Sequence, residues 1–526
     1  MKIGEVVSAS VQKGIDIKLS LDNPEKAKVG FPVICEGQEY DFYCMIQDVY
    51  LPEDNMIERL ADSKVGKSII PMTTPGIHEG YAGRIFYSKA TLQSIQLIDK
   101  STHDLTDRET IPSYFSICRM ATQTDVEQIY AITPTSMHIG TLRGVPDFTI
   151  PIDLEKLTEK PFGLFGRTGV GKSILNKILC TCLLAKDIAS IFLFDMHTEY
   201  GMYSRTDNSP GLKFFYPDKV ELFTLDPTSN TEAKPFVIDP AVIEPGDLIV
   251  AFQDLTPRMI DAIYEIEQRI RRHGTDLITG IERADPDNYD RVSLSTLRAL
   301  QGRIQRLRRF NFVRELPEGT KDTFDQIIEY IRHKKTIVLD FGKYGTDQMS
   351  YLFVGNLISR RLYTLYITDQ TLPRLILNIE EAHKFLDPRV APYTIMDRLA
   401  REMRKFNLVL MLIDQRPSRI DEEVRSQLAN RLILSIKEPR DIKEALAGVP
   451  NPSLWSNIVG TIPPRIVLVV GDAIRVPTLI ETVDYSPSTM KELIAQYTPD
   501  GEPERLTEQD IEKMVEGAED LFSAPK

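Results

Sequence analysis

The chain has 526 residues, 42% of them hydrophobic and 26% charged, with a formal net charge of −13. That length holds about two to four domains with buried cores. The acidic balance does not suggest a general polyanion binder but still allows a ring with basic residues inside a channel. The cysteines Cys35, Cys44, Cys118, Cys180 and Cys182 have no zinc-ligand spacing, and their odd number argues against a disulfide framework. A reducing, cytoplasmic setting is expected. The start MKIGEVVSASVQ lacks an apolar run of secretory type. No apolar stretch is long enough for a bilayer, so no membrane partner is expected.

Residues 1 to about 100 read as strands. Ile15–Leu19, Phe42–Val49, Tyr81–Tyr87 and Thr91–Ile98 are apolar or alternating runs, separated by turn-rich pieces such as Asp22-Asn23-Pro24. Short strands in succession predict a small β-barrel, here placed with its connection at residues 1–145. Gly140 to Pro151 reads as the connection into the next domain.

The stretch Gly163–Leu179, GLFGRTGVGKSILNKIL, carries Gly166, Gly171, Lys172 and Ser173 in the pattern G-x-x-x-x-G-K-[ST]. Glycines let the backbone curl so that successive N–H groups face one phosphate. Gly166, Thr168, Gly169, Val170, Gly171, Lys172, Ser173 and Ile174 are therefore expected to bind the phosphates of a nucleoside triphosphate, ATP. Lys172 supplies a charge to the β and γ phosphates, and the Ser173 hydroxyl is suited to Mg²⁺. Phe162–Phe165 before it suits a buried strand. Ile174, Leu175, Ile178, Leu179 and Leu183 after it recur near helical spacing. That is the context the motif requires.

Ser190–Asp195 is a further buried strand ending in an acid, followed by MHTEYG. Asp195 is expected at the nucleotide edge, ordering His197 and Glu199 or metal-bound water. From Thr256 to about Arg309 the pattern turns helical, with Met259, Ile263, Ile266 and Ile270 on one face. A helical insertion is expected at about residues 250–335. The basic stretch Gly302–Arg314 lies inside it, and its Leu and Ile spacing favours an amphipathic helix over a DNA site. Buried strands follow at Thr336–Asp340, Leu375–Ile379, Leu408–Ile413, Arg431–Leu434 and Ile466–Val470, with helices between. This is an α/β class with a mostly parallel sheet covered on both faces, at residues 146–485. Residues 486–526 read as a C-terminal tail of short helices, Met490–Tyr497 and Glu508–Leu521.

A phosphate loop also needs an acid that orders the metal and a group that orients water. Glu380 and Glu381 end an apolar strand, LILNIEEAH, at the sheet edge where ligands bind. Glu380 is assigned to the Mg²⁺ shell through water, and Glu381 to polarising the attacking water. Gln415 ends the next strand. It either senses the γ-phosphate or belongs to a simple turn before Pro417. LAREMRKF sets Arg401 and Arg404 three residues apart on one helical face. They either reach a neighbouring subunit's nucleotide or form a basic face paired with Glu402 or Asp397.

GRTGVGKS, FLFDMHTEYG, LILNIEEAHKFL, LAREMRKFNLVLMLIDQRPS and the late GDAIRVP together resemble the HerA family, in the FtsK–HerA group of hexameric DNA-translocating ATPases. The order fits over roughly residues 1 to 485. The resemblance implies a RecA-like P-loop core in a homohexamer, ATP and Mg²⁺ at each subunit boundary, and double-stranded DNA in the ring channel. It implies Lys172, Ser173, Glu380 and Glu381 at the nucleotide, Gln415 as sensor, and an arginine finger from Arg404 or Arg401. It also implies a NurA-like nuclease or other effector docked on the ring. Arg167 and Val170 depart from the small or polar residues usual in that loop. Glu380 stands where many relatives carry Asp, and Lys160 where they often have Arg.

The function expected is an ATP-driven duplex-DNA translocase or helicase, working with a nuclease in DNA end processing or phage defence. The alternative is a regulatory ATPase ring that scaffolds or gates an effector without processive translocation. A protein unfoldase is a third class, but no aromatic pore loop can be placed for it.

Overall fold

A computed structural model describes residues 1–497 other than 21–24, 26, 52–86, 107–108, 131, 205, 272–273, 290–291, 318 and 321. Two compact units emerge. One comprises Met1–Lys172, Ile379–Lys405 and Val409–Thr482; the other comprises Ser173–Asn378, Phe406–Leu408 and the chain from Val483.

The first unit opens with β1 (Lys2–Ser10), β2 (Gly14–Leu19), β3 (Pro32–Glu36), β4 (Tyr40–Tyr50), β5 (Lys89–Asp99), β6 (Leu105–Thr106) and β7 (Ile117–Met120). They pair in the order β2-β1-β7-β3-β4-β5-β6, and β5 also pairs with β2, which closes a barrel. The alternation of β2 shows why. Ile15, Ile17 and Leu19 are buried, while Asp16 and Lys18 are only partly so. Ile3, Val6, Val33, Phe42, Ile46 and Leu92 join them in one core. Closure spares the sheet exposed edges. The expected strands at Ile15–Leu19, Phe42–Val49 and Thr91–Ile98 are present, and β1, β3 and β7 complete the barrel. Tyr81–Phe86, the turn at Asp22–Pro24 and the tail segment Glu508–Leu521 lie outside the described residues.

Gly140 to Pro151 is not a connection. It falls in the hairpin β8 (Ser136–Leu142) and β9 (Val145–Asp153). Met137, Ile139, Leu142, Ile150 and Ile152 are buried, so the segment has an apolar face to cover. Gly144 makes the turn at φ +78, where other residues are disfavoured. β10 (Phe162–Phe165) follows and is buried throughout.

The second unit contains β11 (Ser190–Asp195), β12 (Tyr203–Ser204), β13 (Ser209–Pro210), β14 (Val220–Thr224), β15 (Lys234–Pro235), β16 (Thr336–Asp340) and β17 (Leu375–Ile379). β15-β14-β16-β11-β17 form a parallel run. β11, β16 and β17 are buried at every residue, as a sheet covered on both faces requires. β14 is not among the strands expected from the sequence, because five residues show too little period. The helix Lys172–Ala185 buries Lys177, whose Nζ donates to Asp207 at 2.9 Å and Ser209 at 2.7 Å. A buried ammonium persists only when paired this way. The bond ties the helix to the chain after β11.

Amphipathic helices occupy Pro257–Ile270, Leu277–Glu282, Leu294–Leu307 and Thr323–Arg332. The basic stretch Gly302–Arg314 is structural in part. Ile304 and Leu307 face inward, Arg303 pairs with Asp254 at 2.6 Å, and Arg308 pairs with Glu282 at 3.1 Å. The longest helix, Gln348–Thr368, is buried over most of its first half.

The first unit resumes with β18 (Leu408–Asp414), β19 (Asn430–Ile433), β20 (Ile466–Gly471) and β21 (Thr478–Thr482). The order is β18-β10-β19-β20-β21-β8-β9. β18, β10 and β19 run parallel, and the pairs beyond are antiparallel. The fold is thus α/β with a mostly parallel sheet and an N-terminal barrel. The Tyr130 hydroxyl bonds Tyr43 at 3.2 Å and Thr478 at 2.7 Å, joining the barrel to β21. A helix at Pro487–Tyr497 ends the described chain.

Candidate functional site

The phosphate loop leaves β10 between its two parallel neighbours. The Gly166 amide donates to the Asp414 carbonyl at 3.1 Å, and the Arg167 amide to the Ser435 carbonyl at 3.0 Å. The loop start is thereby fixed to the ends of β18 and β19. Gly169 and Gly171 have φ +79 and +98, and a Cβ at either would meet nothing within 4 Å. Their glycine identity therefore serves backbone conformation and not close packing. Val170 is buried and anchors the loop centre. Lys172 Nζ donates to the Arg167 carbonyl at 3.1 Å, across the curl. Ser173 and Ile174 lie in the first turn of the helix Lys172–Ala185.

Two further segments of the same unit meet the loop region. Thr168 Oγ1, inside the loop, donates to Gln415 Oε1 at 2.7 Å. Gln415 follows Asp414, the last residue of β18, whose carboxylate is buried. Asp414 accepts from the amides of Arg416 at 2.7 Å and His383 at 2.6 Å, and from His383 Nδ1 at 2.9 Å. The acid pair follows β17. Glu380 is buried, and Glu381 takes a left-handed backbone at φ +50. The turn is held by Ala382, whose amide donates to the Ile413 carbonyl at 3.2 Å. Glu381 Oε2 stands 3.8 Å from His383 Nε2. Burial pulls the His383 imidazole downward, but the Asp414 hydrogen bond and charge and the Glu381 charge outweigh it, so its net direction is up.

Residues 137–362 match the family model described as the central domain of the helicase HerA. A protein of Sulfolobus acidocaldarius named DNA double-strand break repair helicase HerA is 24% identical over 501 residues, spanning 91% of this chain and 93% of that one. A protein of the same name from Pyrococcus furiosus is 23% identical over 409 residues, 69% of this chain and 72% of that one. The chain is similar to the HerA helicases over these residues. VirB4 of Thermoanaerobacter pseudethanolicus shares the fold at TM-score 0.51 and 13% identity, covering 68% of this chain and 99% of that one.

The chain is an ATP-hydrolysing enzyme of the P-loop type. The loop fits a phosphate group, since its two positive-φ glycines border open space.

Asp195 lies in the other unit and holds its own loop. Its carboxylate accepts from the amides of His197 at 3.3 Å, Glu199 at 2.9 Å and Tyr200 at 2.9 Å. Burial, then the charge of Asp340, pushes its carboxyl up to about 7. Among the described residues no cluster of three or more His, Cys, Asp or Glu is placed to hold a metal. The α-helix carrying Arg401 ends at Glu402, and Arg404 sits in a 3-10 turn, Met403–Phe406. The expected single helical face is therefore broken between the two arginines. Arg401 pairs with Asp397 and, at 2.7 Å, with Glu423. The Arg404 side chain lies outside the described residues.

Sequence reasoning missed His383 and Asp414. His383 is visible as the end of EEAH. Nothing local marks Asp414 as its partner, which stands 31 residues on. Among the described residues no helix is long and apolar enough to cross a membrane.

Proposed function

We propose that this protein is an ATP-driven translocase or helicase acting on double-stranded DNA, assembled as a homohexamer with a nucleotide at each boundary. The observation that carries this reading is the 2.7 Å bond from Thr168 in the phosphate loop to Gln415 at the end of β18. It couples the loop to a polar side chain suited to sense the γ-phosphate. The matched relatives named for DNA double-strand break repair supply the substrate class.

In this reading the amides of residues 168–174 cradle the phosphates and Lys172 neutralises them. Mg²⁺, held by Ser173 and through water by Glu380, supplies further charge compensation on the phosphates. Glu381 polarises the attacking water, and an arginine, Arg404 with Arg401 in support, comes from a neighbouring subunit. The working division is a barrel with its connection at 1–145, an ATPase core at 146–485 and a tail at 486–526. A NurA-like nuclease or another effector docks on the ring for DNA end processing or phage defence.

The test combines ATP turnover with DNA binding. Turnover stimulated by duplex DNA and abolished in Lys172→Ala is expected, with DNA affinity that falls steeply as salt rises, since phosphate contacts release counterions. A monomer in the presence of ATP and DNA, or DNA affinity indifferent to salt, would remove the translocase reading.

A further inference from the structure

The acid turn contains a side chain that the reading above does not use. His383 follows Glu381 by two residues and is mostly buried, at 17% side-chain exposure. Its ring is fixed from one side. A carboxylate only accepts, so the hydrogen on Nδ1 points at Asp414 Oδ2, 2.9 Å away. The same Asp414 oxygen accepts the His383 amide at 2.6 Å. Ring and backbone of one residue are thus held by one buried carboxylate, at the end of the strand that also carries Gln415.

Fixing Nδ1 decides where Nε2 faces. It faces the Glu381 carboxylate at 3.8 Å, too long for a direct hydrogen bond and close enough for charge attraction. Glu381 needs such a restraint. Its backbone is left-handed at φ +50, and its side chain is 28% exposed, so packing alone leaves its rotamer free. The turn is closed by the Lys384 amide on the Glu381 carbonyl at 2.8 Å, which brings residues 381 and 383 to one side.

We infer that His383, oriented by Asp414, is a positioning residue that sets the Glu381 carboxylate in place for its work on water. This rests on the assignment of Glu381 made above. The chain Asp414–His383–Glu381 also joins the acid turn to the β18 end.

The experiment compares His383→Ala, His383→Asn, Glu381→Gln and wild type by ATP turnover, KM, equilibrium binding of a fluorescent ADP analogue, and melting temperature. His383→Ala leaves Asp414 with two amide donors, from residue 383 and from Arg416 at 2.7 Å, so no buried carboxylate is orphaned. His383→Asn keeps a donor in the place of Nδ1 and removes only the Nε2 edge. Both are expected to lower kcat by about 10–100-fold, the usual loss when a partner that orients a reacting group is removed. KM and analogue affinity should stay within about threefold, because the effect is confined to the reacting geometry. A purely structural histidine would instead lower the melting temperature and leave kcat per folded enzyme unchanged. His383→Asn with wild-type kcat, beside an inactive Glu381→Gln, overturns this inference alone. Glu381→Gln with wild-type kcat overturns the assignment of Glu381 and the inference with it.

Discussion

Gly171→Ala is a test of why the loop is built as it is. Gly171 stands at φ +98, and a Cβ there would meet nothing within 4 Å. Steric crowding therefore contributes nothing, and the whole penalty is conformational. The left-handed well for residues with a Cβ lies near φ +50 to +70°, so alanine at this φ is off its minimum. Holding a residue in such a region costs about 1–3 kcal/mol. Either the loop keeps its shape and the protein loses that stability, or the loop relaxes in the free protein. In the second case binding must restore the shape, and nucleotide affinity falls by about 5–150-fold at 1.4 kcal/mol per tenfold. The energy appears in one readout or is divided between the two. A fluorescent ADP analogue gives the affinity, and urea unfolding gives the stability. Gly169→Ala, at φ +79, lies nearer the well and should show the smaller effect. An alanine at position 171 that changes neither affinity nor stability would refute the reasoning, because the strain would have nowhere to go.

Two further predictions concern the boundary between subunits and pH. An Arg404→Ala subunit and a Lys172→Ala subunit are each expected to be inactive alone, yet mixing should restore hydrolysis where one boundary keeps both groups. No recovery, in rings shown by mass measurement to be mixed, would place Arg404 in cis or in a structural role. Asp195 binds a proton more tightly when folded, with burial and Asp340 pushing it up to about 7 against about 3.9 unfolded. Its contribution to stability is complete below pH ~4 and is lost as pH rises towards and through 7. Urea midpoints measured from pH 5 to pH 8 should fall across that window, and a flat profile would remove Asp195 as the cause.

The loop, the acid pair and most of the strands were legible in the sequence because each is written locally. The Gly-rich spacing of Gly166 to Ser173 needs only a strand before it and a helix after it. Apolar runs such as Thr336–Asp340 are buried strands at almost any position in a covered sheet. Glycine at 144 looked like part of a linker because its neighbours alone do not reveal that Met137 and Ile152 share one buried face. Arg401 had Asp397 within one helical turn, as its spacing allows, but Glu423 became a partner only through folding. The same holds for His383. Its bond to Asp414 exists because the acid turn reaches the β18 end, where the Ala382 amide donates to the Ile413 carbonyl. Spacing along the chain fixes which groups are available within a turn. Strand register, which depends on burial summed over the whole sheet, fixes which of them face one another across it.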